Sequence, residues 1–263
     1  MNDTHTLRTA LVTGASSGIG LELARKLAEE GFDLVLVARS ADTLEALAAE
    51  LRKQHGHGVT VIPADLSRPE APEEVVRTVA EAGITVDVLV NNAGFANYGP
   101  FLHSDRRREL DMIQVNVTAL THLTHLLLPG MVERGGGRVL NVASTAAFQP
   151  GPLMAGYFAT KAFVLHFSEA VASELSGTGV TVTALCPGPT SSGFQERAGM
   201  EGSKLLKFGT MSSRTVAEYG YRALMRGKRV AVPGFSNRLG ALASRLLPRT
   251  VVVKAVGNLQ SSE

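Results

Sequence analysis

The 263-residue sequence predicts an α/β domain built on a doubly wound parallel sheet with helices on both faces. Three observations carry this. Short runs rich in Val, Leu and Ile alternate along the chain with amphipathic stretches of helical period. The runs lack the strict apolar–polar alternation of a sheet with one wet face, which marks strands covered on both sides. A glycine-rich turn, Gly14, Gly18 and Gly20, stands between the first run and the first helical stretch.

The first strand is expected over Thr9–Thr13, followed by a helix at 18–30. Strands at Asp33–Ala38, Val59–Pro63 and Val86–Asn91 come next, separated by helices at 41–54 and 70–82. The longest helical pattern, 105–133, leads to a strand at Gly137–Ala143. Helices at 155–176 and 213–226 precede strands at Val180–Cys186 and Arg229–Val232. Right-handed crossovers between such strands put ligands at their C-terminal ends. No linker or repeat interrupts the rhythm, so residues 1–263 read as a single domain. Two segments stand outside it: 187–212, a candidate substrate lid, and the basic tail 236–263.

Composition narrows the function. Hydrophobic residues make up 44% of the chain, ample for a buried core. The formal charge of +2, from 26 basic and 24 acidic residues, is too balanced for a nucleic-acid footprint. Cys186 is the only cysteine, which excludes an internal disulfide and a cysteine-rich metal site. Met1–Thr9 has no apolar leader core, and no apolar run approaches the roughly 18 residues of a spanning helix. A soluble, cytoplasmic protein is the expectation. His122 and His125 lack a third ligand, His55 and His57 flank a turn, and 105–109 reads as a solvated helix start; no metal site is expected.

Chemistry enters at the turn Thr13-Gly14-Ala15-Ser16-Ser17-Gly18-Ile19-Gly20. Its glycines let the backbone approach a pyrophosphate, and the helix behind it offers free N–H groups and a positive dipole end. Downstream, Tyr157 and Lys161 lie one turn apart on a helix face, and Ser144 ends the fifth strand. A lone Tyr-x-x-x-Lys arises by chance about one time in ten in such a chain, so it gains weight only beside the glycine turn. A phenol, an ammonium and a hydroxyl beside a nucleotide site suit hydride transfer to or from a carbonyl. The ammonium and the positive nicotinamide ring are expected to lower the tyrosine pKa from about 10 by about two units. At the tip of the second strand, where NAD-selective sites carry a carboxylate, stand Arg39 and Ser40. An arginine fork there suits the 2′-phosphate of NADP(H).

These motifs, in this order, resemble the short-chain dehydrogenase/reductase family, in its compact single-domain Rossmann-like branch, over about residues 8–235. The resemblance assigns Gly14, Ser16, Ser17, Gly18, Ile19 and Gly20 to the cofactor loop, and Asp65 with Leu66 to the adenine. It assigns Asn92, Ala93 and Gly94 (within Asn91–Gly94) to the end of the fourth strand, and Pro187 and Gly188 to the turn below the nicotinamide. Thr190 and Ser192 are both candidates for the contact to its amide. Asn116, Ser144, Tyr157 and Lys161 match the catalytic tetrad, with Asn116 holding a relay water toward Lys161. The pattern is most similar to bacterial ketoacyl- and hydroxysteroid-type reductases.

The expected function is thus an NADP(H)-dependent oxidoreductase interconverting a carbonyl and an alcohol on a hydrophobic substrate. The rival is a catalytically idle NADP(H)-binding sensor or scaffold. Ser144, Phe95, Tyr98, Thr145, Phe148, Met154 and Phe194 are candidate substrate contacts, with Met200, Leu205, Leu206 and Phe208 in the lid. By resemblance, the two long helices pair copies into a homodimer or homotetramer; Leu120, Leu123, Leu127, Met131, Phe163 and Phe167 are either the apolar seam or intramolecular core. In the tail, Leu239, Leu242, Leu246 and Leu247 fall at helical spacing among arginines. A helix capping the pocket or packing on another subunit is favoured there over weak peripheral contact with an anionic membrane.

Overall fold

The computed structural model describes residues 8–194, 198–199 and 209–261. Seven parallel strands form one sheet: β1 (Thr9–Thr13), β2 (Asp33–Ala38), β3 (Val59–Pro63), β4 (Val88–Asn91), β5 (Gly137–Val142), β6 (Val180–Leu185) and β9 (Val230–Ala231). Their order is β3-β2-β1-β4-β5-β6-β9. The doubly wound α/β sheet read from the sequence is the fold observed. Two short strands, β7 (Thr190–Ser191) and β8 (Met211–Ser212), pair separately and were not expected.

Helices α1 (Gly18–Glu29), α2 (Ala41–His55) and α7 (Ser213–Met225) cover one face of the sheet. On that side Ala10, Val12, Leu34, Leu36, Val88, Val90 and Leu140 pack against Leu23, Leu27, Leu44 and Val216. Helices α3 (Ala71–Glu81), α5 (Leu120–Glu133) and α6 (Ala155–Glu174) cover the other, against Leu11, Val35, Val37, Leu89, Val139 and Val182. Successive residues of each strand thus serve opposite cores, which is why the runs are apolar throughout.

The expected helix 105–133 is not continuous. Helix α4 (Arg106–Ile113) passes through a π-helical segment, Gln114–Ala119, before α5 begins. The proposed pairing seam also needs correction: Leu120, Leu123 and Met131 are buried within the subunit, and Leu127 packs on the same core. Phe163 remains exposed and stacks on Phe167 at 5.7 Å, and the other exposed apolar residues here are Leu110, Ile113 and Val132.

The tail divides in two. Helix α8 (Phe235–Leu246) buries no residue, whereas α9 (Arg249–Gln260) buries Val252, Val256 and Gln260. Val252 and Val256 pack with Ala96, Met154 and Phe158, so α9 is the capping element and α8 is not.

A buried polar ladder ties the centre of the sheet to the helices. Asn91 Nδ2 donates to Thr124 Oγ1 and to Asn141 Oδ1, both at 3.0 Å. Asn141 Nδ2 donates to Ser168 Oγ at 2.9 Å, linking β4 and β5 to α5 and α6. Asn141→Ala removes the middle rung and leaves buried polar groups short of partners. We expect it to cost about 2–3 kcal/mol, read from urea denaturation of the purified proteins; a change within error would show that the ladder is dispensable.

Candidate active site

The site forms where the strand order reverses, between the C-terminal ends of β1 and β4. Thr13 Oγ1 donates to the Val90 carbonyl at 3.2 Å and accepts from the Asn92 and Ala93 N–H groups at 3.0 Å. Asn92 Nδ2 donates back to the carbonyls of Thr13 and Gly14, at 2.9 and 3.2 Å. These bonds press the glycine turn against the β4 loop. Gly14 has φ +64°, and a Cβ there would lie 2.8 Å from Asn92 Nδ2 and 2.9 Å from Ala93 Cα. A Cβ on Gly20 would overlap Asn92 Nδ2 and the Gly14 carbonyl, so Gly20 permits the packing without itself lining the cavity. Ser17 precedes α1 without a side-chain cap, leaving first-turn N–H groups available.

One cavity of about 640 Å³ runs from this turn to the C-terminal helix α9. Gly14, Ser16, Ser17, Gly18 and Ile19 line one end, beside Arg39, Ser40, Asp65 and Leu66. Arg39 is exposed at the tip of β2, and no carboxylate stands at that tip. Asp65 Oδ1 accepts from the Ser67 N–H and hydroxyl at 3.0 and 2.9 Å, which fixes the β3 loop. Asn92, Ala93, Gly94, Pro187, Gly188, Thr190 and Ser192 line the middle. Thr190 Oγ1 donates to the Gly188 carbonyl at 2.9 Å, while Ser192 packs beside Gly18.

Tyr157, Lys161 and Ser144 meet in the same cavity. Ser144 has extended backbone after β5, and its hydroxyl accepts from the Ala146 N–H at 3.1 Å and donates to the Pro187 carbonyl at 3.4 Å. Lys161 Nζ donates to the Val142 carbonyl at 2.7 Å and lies 5.8 Å from the Tyr157 ring centroid. Asn116 sits on the π segment, where its carboxamide takes the Phe95 N–H at 3.1 Å. It donates to the Phe95 carbonyl at 3.0 Å and to Thr160 Oγ1 at 3.1 Å. Gly94 lets this group close up: a Cβ there would come within 2.9 Å of Asn116 Oδ1 and 3.5 Å of Lys161 Nζ.

The electrostatics differ from the sequence reading in one respect. Burial pushes the Tyr157 phenol up to about 12, only partly offset by the neighbouring Ser144 hydroxyl, rather than down. The ammonium expected to lower it is directed at the Val142 carbonyl. Burial also lowers Lys161 to about 8, and raises Cys186, packed nearby, to about 12.

Among the candidate substrate contacts, Phe95, Thr145, Met154 and Phe194 line the cavity, with the Phe194 ring 5.4 Å from that of Tyr157. Phe148 does not: its ring lies 5.6 Å beneath the Arg245 guanidinium, because the short 3-10 turn Thr145–Phe148 directs it toward α8. Tyr98 does not line it either, and instead donates to the Gln260 carbonyl of α9. Met200, Leu205, Leu206 and Phe208 lie outside the described residues. The lining that sequence reasoning missed includes Asp111, Val115, Ala146, Gln149 and Phe158, together with Val256, Leu259 and Gln260 of α9. The valine spacing of α9 signalled a buried face but not what it covers.

A family model for short chain dehydrogenases matches residues 8–201. A putative ketoacyl reductase of Streptomyces coelicolor is 40% identical over 187 residues, covering 70% of this chain and 71% of that protein. The very-long-chain 3-oxoacyl-CoA reductase of Anas platyrhynchos is 38% identical over 182 residues, covering 68% of this chain and 58% of that protein. The chain therefore spans well under two thirds of the latter's length. A short-chain dehydrogenase from Sphingobium yanoikuyae, solved in complex with NADPH, superposes with a TM-score of 0.82 at 36% identity. That match covers 91% of this chain and 94% of the other.

The buried ammonium gives the site a stability signature. Lys161 moves from 10.5 when unfolded to about 8 when folded, so the folded state binds fewer protons between those values and stability rises with pH there. Replacing Lys161 with Met removes the effect. Wild type is expected to gain stability relative to Lys161→Met from about pH 8 to about 10.5, with a ceiling on the order of 3 kcal/mol. Urea denaturation of both proteins at pH 7 and pH 10 measures the difference; a pH-independent gap would contradict it.

Proposed function

Because the chain belongs to the short-chain dehydrogenase family, we propose that it is an NADP(H)-dependent oxidoreductase interconverting a ketone or aldehyde and an alcohol on a hydrophobic substrate. The observation that carries this reading is a single cavity holding both the glycine turn and the Ser144–Tyr157–Lys161 group.

The residues present fit the cofactor. Gly14 and Gly18 have positive φ, α1 offers its N-terminus to a pyrophosphate, and Arg39 stands at β2 where a 2′-phosphate would lie. When bound, NADPH supplies the hydride that reduces the carbonyl carbon. Ser144 hydrogen-bonds the carbonyl oxygen and positions it beside the phenol. Tyr157, neutral at physiological pH with its pKa near 12, donates its proton to that oxygen as charge develops there. Lys161, cationic below about pH 8, would hold the cofactor's ribose beside the phenol. Asn116 holds the water through which the proton is replaced. In the oxidative direction the same phenol must first be ionised. Met154, Phe158, Phe194 and Val256 make the substrate end apolar, which supports a bulky hydrophobic carbonyl compound over a sugar.

Self-association through the α4–α6 side is part of this reading. Leu110, Ile113 and Phe163 are exposed there, with exposed charges of both signs, Asp105, Arg106 and Arg107, at the start of α4. A two-fold contact tolerates such a mixture.

Two experiments test the assignment, starting from a screen of ketones followed by NADPH consumption. Tyr157→Phe keeps the apolar ring and removes the proton. The expected loss is roughly 10²–10⁴-fold in kcat with NADPH binding retained. In wild type, alcohol oxidation should climb with pH through the alkaline range, because it needs the phenolate of a group near 12. Near-normal turnover by the variant would remove Tyr157 from the chemistry.

Arg39→Ala tests the cofactor choice. Hydrogen bonds to charged groups contribute about 1.5–3 kcal/mol, so NADPH affinity is expected to drop roughly ten- to hundred-fold while NADH is little affected. Equal losses for both, measured by fluorescence titration, would rule out the 2′-phosphate contact.

A further inference from the structure

Helix α8 presents an unpartnered apolar face. Phe235, Leu239, Leu242 and Leu246 fall at i, i+4, i+7 and i+11, on one side of the helix, and are 81%, 57%, 54% and 76% exposed. Leu247 and Val251 extend the exposed surface through the turn into α9. Side chains of this size are normally covered, and a continuous stripe of them marks an interaction surface.

The charges around the stripe say what covers it. From Phe235 to Ser261 the chain carries Arg238, Arg245, Arg249 and Lys254 and no Asp or Glu. Arg238 and Arg245, seven residues apart, flank one side of the stripe. Arg238 is held in place by the Val232 carbonyl and the Tyr219 hydroxyl, at 2.9 and 2.8 Å, and Arg245 lies over Phe148. A second copy docked by the same face would set these cations against one another, because a two-fold contact is self-complementary. The α4–α6 side, with its mixed charges, carries no such penalty. A surface bearing dense negative charge above an apolar layer matches both parts of the α8 face.

We propose that α8 docks this protein on the surface of an anionic lipid bilayer, its apolar stripe in the headgroup–acyl boundary and the exposed cations Arg249 and Lys254 of the following helix on lipid phosphates. The contact is peripheral, since no helix among the described residues is long and apolar enough to cross a membrane. The opposite side of α8 rests on the loops that line the cavity. There Asn237 lies against Gly188. Docking thus sets the cavity loops beside a phase in which hydrophobic carbonyl compounds dissolve.

The test is flotation of the full chain with vesicles of phosphatidylcholine alone or mixed with phosphatidylglycerol, at low and high sodium chloride. Wild type is expected on the phosphatidylglycerol vesicles at low salt and released at high salt. The exposed double substitution Leu239→Glu with Leu242→Glu should cut partitioning at least roughly tenfold, without changing the thermal melting midpoint by much. Arg249→Glu with Lys254→Glu, which alters charge alone, should do the same at low salt. The proposal is overturned if wild type ignores anionic vesicles at low salt, or if both variants bind as wild type does. It is equally overturned if sedimentation velocity shows Leu239→Glu with Leu242→Glu dissociating an oligomer while wild type fails to float; a second copy then covers the stripe.

Discussion

Everything at the site depends on how tightly the ends of β1 and β4 are drawn together. These neighbours are joined in space but separated in sequence by two complete strand–helix units, and helices leave them toward opposite faces. A crevice opens at such a point, and its width depends on what ties the strand ends. Here the tie is the Thr13 hydroxyl, which serves one carbonyl and two N–H groups of the β4 end, reciprocated by the Asn92 carboxamide. The contact is so close that Gly14 and Gly20 have no room for a side chain. A backbone brought this near a neighbouring loop is also one that a phosphate can approach without obstruction.

The part of the cavity around Tyr157 and Lys161 is held by another means. Lys161 is a buried cation with a backbone carbonyl as its partner, and an ammonium in such surroundings is held at a cost in stability. The scaffold around it is correspondingly rigid. Asn91, Asn141, Ser168 and Thr124 lock β4, β5, α5 and α6 through side-chain hydrogen bonds, fixing the helix that carries Tyr157 and Lys161. Asn116 is placed by a different device: the wider π turn brings its carboxamide onto both polar groups of Phe95. Such local departures from α geometry are frequently found at functional sites.

Much of this was legible in the residues. Strands buried on both faces must be apolar throughout, so five of the seven expected strands begin where they were placed and the other two begin within two residues. Val86 and Asp87 were assigned to β4, yet Asp87 uses its carboxylate on the Arg8 and Thr9 N–H groups at the foot of β1. The glycine turn, Ser144, Tyr157 and Lys161 were legible as a candidate group because the proposed chemistry demands particular residue types at fixed places, and the fold gathers them around one cavity. The π segment could not, since one wider turn inside a long apolar pattern hardly disturbs its period. Nor could the direction of Phe148 or the contribution of Val256, Leu259 and Gln260, which depend on where a distant helix comes to rest. The phenol's pKa was misjudged because sequence reveals a neighbouring charge but not the depth of burial opposing it.

Helix α9 gives the cavity an order of assembly. During synthesis, the glycine turn, Arg39 and the β4 loop all emerge in the first half of the chain and can form the nucleotide end early. Helix α6 supplies Tyr157 and Lys161 next. The wall made by Val256, Leu259 and Gln260 comes last of all the described elements, and Tyr98 waits through most of translation for the Gln260 carbonyl. A nascent or truncated chain lacking α9 would carry an assembled glycine-turn end with the other end of the cavity open, its apolar lining of Met154 and Phe158 facing water. The same element that shapes that end of the cavity is therefore the one whose completion takes this apolar lining out of water.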